Sequence, residues 1–236
     1  LVDMTEIRRA LQQRDQALHF ISHDIRAPNA SILTLLEMQR NSMEPLQADE
    51  LLKRIEKYAQ AALSMAESFV RLASAQSNEY RVAPLDLASV LQDAVDDAWT
   101  QASNQEVSVT ILQIPHSAPC VGDRPLLARA MANVLNNAIK YSPARGTVRC
   151  SLYARGTNWV ISIHDEGPGI DPAQQDRLFK PFSRLHDLTH PNISGVGLGL
   201  ALVHTVVKRH GGSLEVESAV GQGAEFRLVL PASASD

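Results

Sequence analysis

The stretch Asp165-Glu166-Gly167-Pro168-Gly169-Ile170 closes an apolar run from Trp159 that predicts a buried β-strand. Its glycines allow a tight turn and the close approach of another group to the backbone. Asp165, at the end of the strand, can accept a hydrogen bond from the exocyclic amine of adenine, whereas guanine presents a carbonyl oxygen at that place. An ordinary turn after a strand is the alternative explanation of these residues taken alone.

A second glycine-rich stretch, Gly195-Val196-Gly197-Leu198-Gly199-Leu200, comes immediately before a predicted helix. Small residues there let backbone N–H groups and the positive end of the helix reach a phosphate. The spacing is GxGxG rather than GxGxxG, and no strand leads directly into it, which argues against a Rossmann fold. The sequence contains no GxxxxGK[ST] segment, so the P-loop class is excluded.

The predicted helix from Leu127 to Tyr141 carries polar side chains at spacings of four and three residues. Asn133, Asn137 and Lys140 consequently share one face of this helix. Amide oxygens are hard ligands that suit Mg²⁺, and a lysine can meet phosphate oxygens. A merely solvated helix face is the alternative for this pattern alone.

The N-terminal third has the period of two long helices. Apolar residues recur every seventh position from Met4 to Ile32, which predicts a coiled-coil-like helix that ends near Asn41. Pro45 interrupts the helical pattern, and a second apolar seam then runs from Leu52 to Ala73. One antiparallel hairpin of two helices encloses little volume, so we expect two copies of the chain to form a dimeric four-helix bundle.

Alternating and helical segments follow a polar linker that begins near Ser77, and they predict an α/β sandwich. The fold class is therefore α+β, with a helical hairpin before the sandwich domain. The predicted elements are the helices Leu87 to Ser103, one beginning after Asp123, and Leu198 to His210, and the strands Val107 to Ile114, Thr147 to Ala154, Trp159 to Asp165, Ser213 to Ser218 and Glu225 to Leu230. The expected domains are 1–78 for the hairpin, 79–84 for the linker, 85–232 for the sandwich and 233–236 for a tail.

Composition excludes several classes of protein. The net charge is -4 over 236 residues, so no basic field would attract nucleic acid or an anionic membrane surface. Cys120 and Cys150 lack the spacing of a zinc site or a disulfide framework. The two isolated thiols fit a reducing compartment, and we expect a cytoplasmic location. No run approaches the roughly 18 apolar residues of a membrane-spanning helix, so we expect no direct membrane contact. Because the sequence opens at Leu1 within a helical pattern, we also expect an upstream sensor region.

His23 falls opposite the apolar seam of the first helix, so its imidazole is expected to face solvent. The adjacent Asp24 can accept the Nδ1 proton and leave Nε2 nucleophilic. Pro28 removes one hydrogen bond of the helix and is expected to bend it just beyond His23. An exposed histidine without a function is the alternative for this residue alone.

The residues around His23, Phe20-Ile21-Ser22-His23-Asp24-Ile25-Arg26-Ala27-Pro28, resemble the H box of sensor histidine kinases. The Asn133 helix resembles the N box of that family, and the two glycine-rich stretches resemble its G1 and G2 boxes. Phe179-Lys180-Pro181-Phe182 resembles the F box. Gly221-Gln222-Gly223-Ala224-Glu225-Phe226 resembles the last glycine motif, for which a hairpin turn is the expected direct role. These matches occur in the family's order and cover nearly the whole chain.

The resemblance implies an autophosphorylating protein-histidine kinase with an ATP-binding domain of the GHKL (Bergerat) type. His23 would be the phosphoacceptor, Asp24 its acid/base partner, and Arg184 a cation near the γ-phosphate within a lid of about 25 residues. ATP and Mg²⁺ are the implied cofactors, with Asn137 holding the metal. The implied partners are a second copy of the chain and a response regulator, whose aspartate receives the phosphoryl group. The implied nucleotide-binding residues are Asn133, Asn137, Lys140, Tyr141, Asp165, Gly167, Gly169, Ile170, Phe182, Gly195, Gly197, Leu198, Gly199 and Leu200.

Ala27 departs from the family pattern, in which Thr or Asn at this position helps to orient the water that dephosphorylates the regulator. Alanine has neither a hydroxyl nor an amide group. We therefore expect weak phosphatase activity.

Two other functions stay open on the sequence alone. An ATPase of the wider GHKL superfamily would use water as the phosphoryl acceptor, although the Asn133 helix carries no obvious catalytic carboxylate. A nucleotide-binding scaffold would keep the fold without phosphoryl transfer. Labelling of His23 by ATP would separate the kinase from both.

Overall fold

The computed structural model of the chain describes residues 26–42, 45–76, 80–175, 177–180 and 197–233. These residues fall into two compact units, which divide between Arg71 and Leu72. The first unit is helical, and the second combines helices with a sheet. Within the described residues, no helix has both the length and the apolar character needed to cross a membrane.

Two helices joined by a short connection make up the helical unit. Residues 26–41 are helical (α1), and α2 extends over Ala48–Gln76. Gln39 closes the connection, because its side-chain amide donates to the carbonyl of Leu46 and accepts from the N–H of the same residue, each at 2.9 Å. Two acidic residues, Asp49 and Glu50, lie in the first turn of α2, where they complement the positive end of the helix dipole. The structure confirms the second predicted helix and, within the described residues, the last part of the first helix and its end at Asn41.

A five-stranded sheet forms one layer of the second unit. The strands of this unit are β1 (Ala83–Asp86), β2 (Ser108–Gln113), β3 (Pro119–Gly122), β4 (Thr147–Arg155), β5 (Asn158–Asp165), β6 (Ser213–Ser218) and β7 (Ala224–Pro231). The order in the sheet is β2-β4-β5-β7-β6, in which β2 is parallel to β4 and the other pairs are antiparallel. A separate ribbon pairs β1 with β3.

Three amphipathic helices form the other layer. They are α3 (Leu87–Asn104), α4 (Arg124–Tyr141) and α6 (Gly199–Arg209), and a single turn, α5 (Pro172–Gln175), precedes α6. The central helix α4 packs against α3, α6 and β5. The largest fully buried side chains are Leu87, Leu91, Leu127, Met131, Leu135, Ile139, Leu152, Ile161, Ile163, Leu198, Leu228 and Leu230. Burial of such side chains between the layers is the main stabilising contribution of this unit.

Aspartate side chains fix the starts of α3 and α4. The Oδ1 atom of Asp86 accepts from the N–H of Ala88 at 2.9 Å, and that of Asp123 accepts from the N–H of Leu126 at 3.1 Å. Each carboxylate thereby satisfies an N–H group that has no partner within its helix. Strand β1 ends at Asp86 and β3 ends just before Asp123, so the two caps join these strands to α3 and α4.

The structure confirms every predicted helix and strand of the sandwich, with ends that lie within three residues of those expected. It adds β1 and β3, which the sequence analysis missed because Pro84 and Pro119 make these four-residue strands look like loop. Pro84 itself had been expected in the linker. The segment after Ile170, where the sequence places the lid, begins with the helical turn α5, which starts where Asp171 Oδ1 accepts from the N–H of Ala173 at 2.9 Å.

Candidate functional site

The polar face of α4 lies opposite its buried face. Asn133, Asn137 and Lys140 are half-buried on the polar face. The buried face consists of Leu127, Ala130, Met131, Val134, Leu135, Ala138 and Ile139. Lys140 lies in the last turn, where a cation complements the helix dipole, and its Nζ atom is 5.4 Å from the centre of the Tyr141 ring. The helix therefore holds two amides and a cation in one row.

Asp165 is the last residue of β5, and only 5% of its surface is exposed. Its Oδ1 atom accepts from the N–H of Gly167 at 2.8 Å. Burial raises the pKa of this carboxyl above its usual range, and the N–H groups of Gly167 and Ala224 partly oppose that effect. A carboxylate has about four lone-pair positions, so two N–H partners leave capacity for a further donor. This is the capacity that recognition of an amino group requires.

The turn after Asp165 has no room for larger residues. A Cβ atom on Gly167 would lie 2.7 Å from Asp165 Oδ1 and 2.8 Å from the carbonyl oxygen of Tyr141. A Cβ atom on Gly169, whose φ is +71°, would collide with the carbonyl of Ala219. Gly167 thus brings the turn against the C-terminal end of α4, and Ile170, at the end of the turn, is buried.

The N-terminus of α6 lies beside the amide of Asn133. A Cβ atom on Gly199 would stand 3.4 Å from Asn133 Oδ1. Leu198 occupies the N-cap position, and its side chain makes no capping hydrogen bond. The first N–H groups of α6, including those of Gly199 and Leu200, have no acceptor within the helix, so an anion next to the polar face of α4 could accept from them. Gly197, just before them, has a φ of +71°, which favours glycine.

Phe179, from the segment that resembles the F box, stacks on His204 of α6. Their ring centres are 5.6 Å apart, and the rings are inclined by 16°. This contact joins the described beginning of the lid to the helix that follows it. His23, Asp24, Phe182, Arg184 and Gly195 lie outside the described residues.

The predicted site residues that the structure describes lie in three segments, which are α4, the end of β5 with the turn after it, and the start of α6, and α4 contacts both of the others. These residues are Asn133, Asn137, Lys140, Tyr141, Asp165, Gly167, Gly169, Ile170, Gly197, Leu198, Gly199 and Leu200. Among the described residues, no group of three or more His, Cys, Asp or Glu side chains could hold a metal ion. Mg²⁺ is commonly bound by one or two protein ligands together with phosphate oxygens. The polar face of α4 would fit a magnesium ion in this way, with one amide and the phosphates of a ligand sharing its coordination.

The sequence analysis missed two residues that support these segments. The hydroxyl of Ser218 joins the turn after Asp165 to the β6–β7 hairpin. His210 joins the end of α6 to the start of α4. Neither residue belongs to a recognised motif, and only the tertiary structure reveals their contacts.

This chain is similar to known proteins both within its α/β unit and over nearly its whole length. A family described as histidine kinase-, DNA gyrase B-, and HSP90-like ATPase matches residues 122–234. The adaptive-response sensory kinase SasA of Synechocystis sp. is 30% identical, over 97% of this chain and 62% of that protein. The chain spans about three fifths of the length of the curated relatives it matches.

Solved structures resemble the fold. The mycobacterial sensor histidine kinase MprB is 34% identical with a TM-score of 0.55, over 64% of this chain and 98% of that one. The histidine kinase ThkA in complex with the response regulator protein TrrA has a TM-score of 0.77, over 96% of this chain and 64% of that one. Its identity is 18%, so this likeness concerns the fold alone.

Proposed function

This chain belongs to the sensor histidine kinase family, and from that premise we propose that it transfers the γ-phosphoryl group of ATP to His23. The observation that carries the proposal is that α4 contacts both other segments, because the turn after Asp165 lies against its C-terminal end and Gly199 at the start of α6 lies beside Asn133. An adenine acceptor, a phosphate-binding backbone and a magnesium ligand are the three parts that an ATP site needs. The site residues predicted from the sequence are part of this proposal.

Nucleotide recognition divides among the three segments. Asp165 accepts from the exocyclic amine of adenine, and the N–H groups at Gly199 and Leu200 bind the phosphates. Asn137 would hold Mg²⁺, and Asn133 and Lys140 lie on the same face of the helix. Bound magnesium would supply charge neutralisation on the phosphates, and the chain's own role is to orient them.

Phosphoryl transfer rests on the family resemblance and on residues outside the described ranges. Nε2 of His23 forms the bond to the γ-phosphorus as the bond to the leaving oxygen of ADP breaks. Asp24 accepts the hydrogen bond from Nδ1 and keeps Nε2 nucleophilic. Arg184 offsets charge that develops on the transferred group.

The proposed partners are a second copy of the chain and a response regulator. Leu33, Met38, Leu52 and Leu63 are apolar side chains exposed on α1 and α2, and a second hairpin would cover them. Residues 1–78 would form this dimeric hairpin, 79–84 a linker and 85–232 the ATP-binding domain, in a cytoplasmic part of a longer sensor. The family resemblance implies that an aspartate of the response regulator is the next acceptor of the phosphoryl group.

An ATPase that uses water is the competing function. Such an enzyme needs a carboxylate or an equivalent base to activate the water. The sequence of α4 contains neither Asp nor Glu, so its polar face offers no such group. The kinase is therefore favoured.

Incubation with γ-labelled ATP and Mg²⁺ tests the proposal. Wild type and His19→Ala should both acquire a label that acid removes and alkali leaves, whereas His23→Ala should acquire none. His19 is the matched control because it lies four residues from His23 in the same predicted helix. ATP binding without label in the wild type would favour a scaffold, and phosphate release that continues in His23→Ala would favour an ATPase.

A further inference from the structure

The hydroxyl of Ser218 joins two segments that are far apart in the sequence. Its Oγ atom accepts from the N–H of Ile170 at 2.9 Å and donates to the carbonyl of Gly223 at 2.6 Å. Ile170 ends the turn that follows Asp165, and Gly223 ends the turn between β6 and β7. One side chain thus uses both its donor and an acceptor position to connect the two turns.

Further hydrogen bonds surround this hydroxyl. The N–H of Gly221 donates to the carbonyl of Pro168 at 2.7 Å. The side chain of Gln175 donates to the backbone carbonyl of Ser218 at 3.0 Å. The tip of the β6–β7 hairpin consequently lies along the whole length of the turn from 165 to 170.

The fit between hairpin and turn is too close for added atoms. A Cβ atom on Gly223 would collide with the carbonyl of Asp165. Near the other end of the turn, a Cβ atom on Gly169 would collide with the carbonyl of Ala219 in the same hairpin. Both glycines therefore allow the backbone of the hairpin to touch the backbone of the turn. The hairpin thereby fixes the position of Asp165.

We propose that Ser218 is a positioning residue for adenine recognition, acting through Asp165; this inference rests on the proposed ATP site. The Asp165 carboxylate is oriented by the N–H of Gly167, three residues before Ile170 in the same turn. Removing the Ser218 hydroxyl leaves an N–H and a carbonyl without their partner in a closely packed region, which favours rearrangement of the turn. The carboxylate then loses its fixed direction toward the purine amine.

The position requires a small side chain that both donates and accepts. Alanine removes both hydrogen bonds, whereas threonine retains the hydroxyl and suits a β-strand. Ser213 begins the same strand, β6, and is also half-buried. Ser218→Thr is therefore the rescue variant and Ser213→Ala the matched control.

The test measures dissociation constants of Mg²⁺-ATP and Mg²⁺-GTP for the whole chain by titration calorimetry. We expect Ser218→Ala to weaken ATP binding about tenfold and GTP binding little, because guanine does not use the Asp165 acceptor. Ser218→Thr and Ser213→Ala should bind both nucleotides as wild type does. In an Asp165→Ala background, Ser218→Ala should have no further effect on ATP binding, because the residue acts through that carboxylate.

Three outcomes would overturn the inference. Wild-type affinity for ATP in Ser218→Ala would show that the hydroxyl positions nothing. Equal weakening of ATP and GTP, or an undiminished effect in the Asp165→Ala background, would show a general loss of structure. A wild-type chain that binds no ATP would overturn the proposed function as well, whereas ATP binding without labelling of His23 would overturn only the kinase step and leave the role of Ser218 intact.

Discussion

Replacing His210 by glutamine should reduce the dependence of stability on pH below about pH 6.5. His210 follows α6, and only 8% of its surface is exposed. Its Nε2 atom accepts from the N–H of Asp123 at 3.0 Å, and its Nδ1 atom lies 2.7 Å from the carbonyl oxygen of Val206. Because an N–H can only donate and a carbonyl can only accept, the ring is neutral with its proton on Nδ1. A second proton, on Nε2, would place that N–H group against the N–H group of Asp123, so that two donors would face each other.

Charged and titratable groups surround this ring on several elements. Burial lowers the pKa of His210 below its usual value, and the carbonyl of Val206 and the Asp123 carboxylate oppose this, while Arg209 adds to it. The ring of Tyr80 meets that of His210 edge to face, with the centres 5.1 Å apart. The net direction is downward, so the folded chain binds the second proton less readily than the unfolded chain does.

The sign and size of the effect follow from that difference. Stability from the neutral ring is complete above the unfolded pKa of about 6.5 and is lost as the pH falls from there toward the lower folded pKa. In that window the loss is at most about 1.4 kcal/mol for each pH unit. His210→Gln removes the titrating group, so this part of the slope should disappear. The variant should also be less stable than wild type by about 1–3 kcal/mol at neutral pH, since the amide cannot reproduce both hydrogen bonds.

Urea unfolding followed by tryptophan fluorescence measures this effect. The chain has two tryptophans, Trp99 and Trp159, and both lie in the α/β unit. The free energy of unfolding would be measured at several pH values between about 5 and 8. His204→Gln is the comparison, because burial lowers the pKa of His204 too but this ring is only half-buried, so the variant should remove a smaller part of the slope. Equal slopes for His210→Gln and wild type would refute the assigned protonation.

Three further changes test the site and its surroundings. Asp165→Asn should weaken ATP binding by about 10-fold to 100-fold in calorimetric titration, because the charge of the acceptor is lost; an equal loss for GTP would contradict its role in base recognition. Gly223→Ala should destabilise the α/β unit by several kcal/mol in urea unfolding, since its Cβ would meet the carbonyl of Asp165, whereas Gly221→Ala has open space and should cost only about 1 kcal/mol from its positive φ. Ala27→Thr should speed dephosphorylation of the cognate regulator in the presence of ADP; a wild-type chain that already exceeds the regulator's own decay would contradict the expected weak phosphatase activity.

The elements with strong periodicity could be predicted from the sequence, and the short ones could not. Strand β6 was predicted with both ends correct because its apolar residues alternate between two glycine-rich turns. Strands β1 and β3 have four residues each and depend on pairing with one another, which no local pattern reveals. Tertiary contacts rather than local preference decide such short strands.

The chemistry of the candidate site was visible in the sequence, and its assembly was not. Asp165 and the glycines stand in recognisable motifs because few other residue types suit the roles proposed for them. Ser218 stands at the end of an ordinary strand, and its role depends on a turn 48 residues away in the sequence. The proximity of Asn133 to Gly199 is likewise a product of helix packing.

Two contacts at separated points define how α4 packs against α6. Asp123, the N-cap of α4, meets His210 at the end of α6, and Asn133 in the middle of α4 meets Gly199 at the start of α6. The helices are therefore antiparallel, with ten residues between the points on α4 and eleven on α6. At a rise of about 1.5 Å per residue, these spacings are about 15 Å on α4 and about 16.5 Å on α6, which are nearly equal. The contact at His210 thus fixes how far the N-terminus of α6 reaches along α4, and the distance between the proposed phosphate-binding backbone at Gly199 and the proposed magnesium ligand Asn137 follows from it.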